Sequence, residues 1–386
     1  MRLYIQKGFL APLLLPLAAS IRMSNLISMT MEPTTLQPEA TSWSENSTLL
    51  NSLTSTEFLT MRTIVPPYII IVSTLGLPLN AIVLCVFLSH KDRLTVAEIY
   101  LGNLALADFA LLCGLPFWAA NILNSFNWPY GDALCKMVNM VMTVNLYTSV
   151  YTLVMISVDR YLAIVRTMKA RWLRRTRYAK IMSVFLWILG LTLSTPSLLH
   201  RKTIDFEEFQ MTACMLDYSH GSSWKLANQV LLNAVGFVVP ALVIVSCSVA
   251  IVKTLRRRKE NVGLKDVNDT KASFLLYAIT LLFILCWGPY QVFTFLDTLC
   301  DVHVLDGTTW SHTLDIGGQG SAYLGVLNSA LNPVLYVLSG QYFRKKVRAI
   351  YRRALNNRRG SDITIYQRSV VSTYIQRPEQ IKPVVI

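Results

Sequence analysis

Asp108 is the one acid set deep inside a long apolar stretch of this chain, in the run Asn103-Leu104-Ala105-Leu106-Ala107-Asp108. An ionisable group in such surroundings is expensive and is a functional candidate by default. At helical spacing Asn145 and Ser149 share one face of a second apolar stretch, and Asn328, Ser329 and Asn332 line a third. One carboxylate among several neutral oxygens suits a small hard cation, sodium above all, with water. The alternative is a hydrogen-bonded structural network with no ion. Catalysis finds little footing. Aspartyl proteolysis needs two carboxylates close enough to share a proton, and no other apolar stretch offers a second deep acid. The five histidines (His90, His200, His220, His303, His312) lie at loops or stretch ends, without metal-ligand spacing. The sequence has no nucleotide loop and no nucleophile elbow.

Seven stretches with almost no charge must position these groups: residues 64–88, 97–122, 135–158, 179–199, 226–252, 272–296 and 316–339. All are too long for strands, and a helix satisfies its own backbone in lipid. The proline in most of them (Pro78, Pro116, Pro196, Pro240, Pro289, Pro333) is common in membrane helices. Composition agrees: 53% of the 386 residues are hydrophobic and 15% charged, against about 25% charged in soluble domains. These figures exclude a soluble globular protein and a disordered chain, and seven cysteines are too few for a disulfide scaffold. The expected fold is an all-α membrane protein, a seven-transmembrane-helix bundle. A transporter's inverted, Gly/Pro-broken repeats are missing, and a channel would want ionisable residues along several spans.

The net charge of +14 is unevenly placed, with 28 of the 36 Lys and Arg in the connections after spans one, three and five and in the tail. Positive charge stays inside. The expectation is a multi-pass plasma-membrane protein with an outer N-terminal segment (1–63), a membrane domain (64–339) and a cytoplasmic tail (340–386). Asn46-Ser47-Thr48 is then a glycosylation acceptor on the outer side, whereas Asn268-Asp269-Thr270 lies inside. Residues 1–22 resemble a short signal peptide, or else are an extension before a start at Met23 or Met31. The Ser-, Thr- and Asn-rich stretch 20–60 reads as flexible. From Phe343 to Tyr351 basic and apolar residues alternate. That is the pattern of a short amphipathic eighth helix on anionic membrane lipid, with a solvated basic tail as the alternative.

Short motifs recur one per span: Asn80, Asp108, Asp159-Arg160-Tyr161, Trp187, Pro240, Cys286-Trp287-Gly288-Pro289 and Asn332-Pro333-Val334-Leu335-Tyr336. In this order they resemble the rhodopsin-like (class A) G-protein-coupled receptors, over about residues 64–352. The resemblance implies a receptor, not an enzyme, and a heterotrimeric G protein as partner. It implies that Arg160, which cannot lose its charge, pairs with Asp159 and with Asp269 at the base of the sixth span. Breaking that lock is a two-state switch biased by ligand. Trp287, Phe283, Pro240 and Val150 resemble the packing relay, and Asn332 and Tyr336 the lower hinge. Cys135 and Cys214 resemble the family's disulfide. The family often has a tyrosine where Ser248 stands. Phosphates on Ser361, Thr364, Ser369, Ser372 and Thr373, added by receptor kinases, would present charge to an arrestin.

The third outer loop carries Asp297, Asp301, Asp306 and Asp315 without Lys or Arg, and the second carries Asp205, Glu207, Glu208 and Asp217. Such a cluster attracts a cationic ligand. Where amine receptors hold an aspartate, Asn139 and Thr143 stand, which favours a basic peptide. Asp301 and Asp306 read as solvated loop acids, Asp297 and Asp315 as continuations of helix faces. The strings Thr95 to Ala105, Gly114 to Trp118, Thr294 to Leu299 and Gly340 to Lys346 are similar to the bradykinin (kinin) receptors, the second subtype more than the first. That likeness implies a kinin peptide whose cationic N-terminal end meets Asp297 and Asp315, in a cavity lined by Gln319, Asn139, Thr143, Trp118, Trp287 and Phe293. It implies coupling to the Gq class, with Gi as a second route, and no nucleic-acid partner. Thr143 replaces the first subtype's lysine, leaving room for a peptide that keeps its terminal arginine. Another peptide receptor, of the angiotensin or chemokine kind, is the alternative. The tail's palmitoylation cysteine and the N-terminal cysteine that would pair with Cys300 are both missing, and Phe126-Asn127-Trp128-Pro129 leans toward the first subtype.

Overall fold

The computed structural model describes residues 42–89, 94–166, 172, 174–207, 210–217, 222–262, 267–339, 346–348 and 352. The side chains of 42–60, 222, 259–262, 267–276, 308, 315 and 336–339 lie outside that description. The elements are α1 (Ser42–Ser89), α2 (Val96–Leu123), α3 (Gly131–Ile164), α4 (Thr176–Leu193), α5 (Thr195–His200), β1 (Arg201–Phe206), β2 (Met211–Leu216), α6 (Ser222–Val230), a π-helical stretch (Leu231–Val238), α7 (Val239–Val262), α8 (Val267–Asp301) and α9 (Gly307–Ser339). The π stretch joins α6 to α7, so these three make the fifth span. α1 packs on α2 and α9, α2 on α3, α3 on α4 and α7, and α8 on α7 and α9, which closes the ring.

Among the described residues six helices are long and apolar enough to cross a membrane. α9, with 33 residues, is the seventh member of the bundle. The helices overrun the lipid-length stretches read from the sequence. α1 starts at Ser42, inside the segment expected to be flexible, because residues 42–63 contain no Gly or Pro to stop a helix. α2 begins where Thr95 caps it: its hydroxyl accepts from the Glu98 amide at 3.3 Å, and the Thr95 amide donates to Glu98 at 2.9 Å. This reciprocal box satisfies two otherwise orphaned donors.

The fifth span shows how a proline shapes a membrane helix. Pro240 has no N–H to offer the carbonyls behind it. The preceding turns widen to the π form over Leu231–Val238, and the hydroxyl of Tyr151 donates to the Val235 carbonyl at 2.9 Å. A neighbouring helix thus serves the carbonyl that the proline leaves open.

One feature adds to the expected all-helical architecture. β1 and β2 pair antiparallel as a hairpin between the fourth and fifth spans, Arg201 opposite Leu216. The Cys135–Cys214 disulfide pins β2 to the start of α3, and Trp128, 1% exposed, donates its backbone N–H to Thr212 at 2.8 Å. Of the expected amphipathic helix, the described residues 346–348 and 352 are helical. The remainder, and the tail positions Ser361, Thr364, Ser369, Ser372 and Thr373, lie outside the described residues.

Candidate functional site

Asp108 is fully buried in α2 and is held from two other helices. Its Oδ1 accepts from Asn145 of α3 at 3.1 Å and from Ser329 of α9 at 2.8 Å, and its Oδ2 accepts from Asn332 at 2.8 Å. Asn145 also donates to Ser149 at 3.2 Å. Asn80 of α1 donates to the Ser329 carbonyl at 2.9 Å. The Pro240 and Asp108 regions thus share a principle: a buried acceptor is answered by a neighbouring helix. Ser329, not Asn328, is the α9 residue on the carboxylate beside Asn332. Asn328 is buried nearby in sequence, and its amide oxygen has no hydrogen-bond partner among the described residues.

At one end of α3 the carboxylate of Asp159 is 4% exposed and doubly engaged. Arg160 donates to Oδ2 from Nε at 3.1 Å and from Nη2 at 2.6 Å, and Arg174 donates to Oδ1 at 3.0 Å. Charge-assisted bonds of this kind are the strong ones. Arg258, from the end of the fifth span, donates to the Ile164 carbonyl at 2.7 Å. Tyr161 accepts from Arg166 at 3.3 Å. The side chains of Asp269 and Tyr336 lie outside the described residues, although both backbones are helical.

The opposite end carries the hairpin and a polar interior. Trp118, Trp287, Asn139 and Thr143 are buried there, and Gln319 and Phe293 are half-buried. Asn139 donates to the Cys135 carbonyl at 2.7 Å, which ties it to the disulfide, and Thr143 donates to the Asn139 carbonyl at 3.1 Å. Trp287 packs against Gly325: a Cβ there would stand 2.6 Å from its ring. Below it Phe283 stacks with Phe237 of the π stretch, centroids 6.1 Å apart, and Val150 is buried. Asp297, near the end of α8, is buried and accepts from Gln229 of α6 at 2.9 Å.

A family described as "7 transmembrane receptor (rhodopsin family)" matches residues 79–336. The chain is 44% identical over 296 residues to the B2 bradykinin receptor of Oryctolagus cuniculus, covering 76% of this chain and 80% of that one. It is 41% identical to the Homo sapiens B2 bradykinin receptor over 75% of each chain. Against the B1 bradykinin receptor of Macaca fascicularis it is 39% identical, over 76% of this chain and 83% of that one. The chain belongs to the rhodopsin family of seven-transmembrane receptors, in its bradykinin-receptor branch. The family is one of multi-pass membrane receptors and not of enzymes.

In the receptor, Asp108, Asn145, Ser149 and Asn332 do come together, as do Asp159 and Arg160. Trp187 donates to Asn103 at 3.0 Å and so fastens α4 to α2. Asp315 and Asn46 sit on helices, with side chains outside the described residues. The acids of the hairpin loop are partly answered at home. Asp217 pairs with Lys202, and Asp205 accepts from Thr212 at 2.6 Å. Asp306 accepts from the Thr309 amide at 3.3 Å.

Asp301 is no solvated loop acid: Lys225 of α6 lies 2.5 Å from its Oδ2. The helix α8 carries it toward α6, where a cation waits. Arg174, Lys225 and Gln229 are the residues that the sequence reading passed over. Each lies far along the chain from its partner, in surroundings where a basic or amide residue looks like ordinary surface.

Proposed function

We propose that the receptor binds a kinin peptide at the hairpin end and passes the signal to a heterotrimeric G protein at the Asp159 end. Membership in the bradykinin-receptor branch carries this reading. Supporting it at the site, Asp297 is a buried acid on α8, and a carboxylate there favours a cationic peptide end. Asp315 is the second acid assigned to that end. Trp118, Trp287, Phe293, Gln319, Asn139 and Thr143 form the wall, with Thr143 neutral where a terminal arginine would come.

The hairpin end faces outward in this reading, at the plasma membrane. The Cys135–Cys214 disulfide suits an oxidising compartment, and the excess of Lys and Arg in the opposite connections suits the cytoplasm. Asn46 is then on the glycosylated side. Ligand binding loosens the Asp159–Arg160 lock and its partner Asp269, with Tyr161 and Tyr336 as neighbours in the switch, and the sixth span moves to admit the Gq class, with Gi as a second route. Receptor kinases and an arrestin act on the tail.

A sodium ion is the proposed allosteric ligand of the Asp108 centre. The donor set fits: a carboxylate, the hydroxyls of Ser149 and Ser329, and the amide oxygens of Asn328 and Asn332, which have no hydrogen-bond partner among the described residues, are the oxygens a hard cation takes.

The test is cytosolic calcium in cells expressing the receptor, challenged with bradykinin and with the peptide lacking its C-terminal arginine. A potent response to the intact peptide alone supports the second-subtype reading. The reverse order moves the assignment to the first subtype. Silence to both, with receptor confirmed at the surface, removes the kinin assignment and favours a different peptide.

A further inference from the structure

The acid pair on α8 already holds a cation of the chain's own. Lys225 Nζ lies 2.6 Å from Asp301 Oδ1 and 2.5 Å from its Oδ2, and 3.8 Å from Asp297 Oδ2. Its side chain is 13% exposed, against 12% for Asp297 and 23% for Asp301, so water screens the three charges weakly. Gln229 supplies a neutral donor to the same Asp297 oxygen at 2.9 Å. Lys225 thus lies between two carboxylates, closer to Asp301 than to Asp297.

We infer that Lys225 is a tethered counter-ion that competes with the cationic end of the peptide for Asp297, and that Asp301 tempers this competition by holding Lys225 aside. The inference rests on the reading that Asp297 receives the peptide's cation. It makes Lys225 and Asp301 specificity-determining residues for ligand charge, although in this arrangement neither need touch the ligand. A cation arriving at Asp297 meets attraction from the carboxylate and repulsion from Lys225. The free energy of binding is the difference, so a change in where Lys225 sits changes affinity without altering the binding wall.

The two residues then have a sign pattern that simple contact residues lack. In Asp301→Asn, Lys225 loses its nearer partner and turns to Asp297, so affinity for a cationic peptide falls, by roughly tenfold for a shift of about one strong ionic contact. In Lys225→Gln the competitor is gone and affinity rises. The double variant Lys225→Gln/Asp301→Asn has the same net charge as the parent trio, yet Lys225 no longer contests Asp297, so its affinity is at least that of the parent. Lys225→Arg keeps a cation in place and stays near the parent.

The experiment is equilibrium binding of labelled bradykinin to full-length receptor in membranes, at low and at 0.5 M salt (about the point where screening reaches within a few ångström), with surface expression measured for every variant. Bradykinin acetylated on its N-terminal amine serves as the probe of reduced charge. The inference predicts weaker binding in Asp301→Asn, recovery in the double variant, a smaller spread among the variants for the acetylated peptide, and a spread that persists at high salt because the buried charges are weakly screened. A double variant that binds as poorly as Asp301→Asn overturns it, because Asp301 is then a direct contact. Parent-like binding in Lys225→Gln also overturns it, leaving the kinin reading intact. Absence of binding in the parent and in every variant, with all of them at the surface, overturns the kinin reading and this inference together. The charge-balanced double variant keeps the test decisive if Lys225→Gln alone folds poorly.

Discussion

Glu98 and Lys346 form an ion pair 2.6 Å long whose side chains are 10% and 7% exposed. It ties the first turn of α2 to the chain beyond the seventh span. Glu98 uses one oxygen for Lys346 and the other for the Thr95 amide, so a single carboxylate caps a helix and anchors the tail.

Removing one partner of a buried pair strands the other charge, at a cost of about 3 kcal/mol. Here the cost is expected below that, since Glu98 keeps its bond to Thr95. Lys346→Met should lower the thermal inactivation midpoint of detergent-solubilised receptor, Lys346→Arg should preserve it, and Glu98→Gln/Lys346→Met should recover part of the loss. An unchanged midpoint in Lys346→Met would mean that the pair contributes nothing to the resting fold.

Arg174 holds the second oxygen of Asp159. Its side chain is 36% exposed, so the bond is screened and is worth about 1 kcal/mol. Arg174→Ala should therefore raise ligand-independent signalling by up to roughly fivefold, by weakening the geometry that keeps Asp159 and Arg160 together. Under the proposed coupling to the Gq class, basal inositol phosphate, normalised to surface receptor, reads this. Asp159→Asn should raise it further, because it releases both arginines.

Asp108→Ala leaves three donors (Asn145, Ser329 and Asn332) without their acceptor. About 1–3 kcal/mol is lost for each buried group left unsatisfied, so stability should fall. Any dependence of peptide affinity on sodium should vanish. Sodium titration of peptide binding in the parent and in Asp108→Ala checks the second point, and a sodium dependence that survives the substitution argues for a structural network alone.

Gly325 is where α9 admits the Trp287 ring. A methyl group built there stands 2.6 Å from Cζ3 and 2.7 Å from Cε3, inside any tolerable contact, and the neighbour is a stiff ring. Gly325→Ala should cost about 1–3 kcal/mol by overpacking and push Trp287 toward the cavity. Both the thermal midpoint and peptide affinity should fall. Parent-like values in both measurements would show that the ring moves freely.

Local pattern determined a large part of this protein. The seven spans could be read because lipid demands long apolar helices whatever their neighbours are. Their ends drifted because helices continue past the lipid until a cap or breaker stops them, as α1 does back to Ser42. Asp108, Asp159-Arg160 and Trp287 were legible as residues, since an ionisable group or a short motif in a span stands out against its background. The partners were not legible. Whether Asp108 meets Ser329 or Asn328 depends on the rotation of α9, which neighbouring residues on one helix do not report. Arg174 on Asp159, Lys225 on Asp301 and Lys346 on Glu98 join positions 15, 76 and 248 residues apart. A sequence shows each as one more charged residue. Packing alone brings the chain back on itself, strips the water from these groups and so selects which charges must pair.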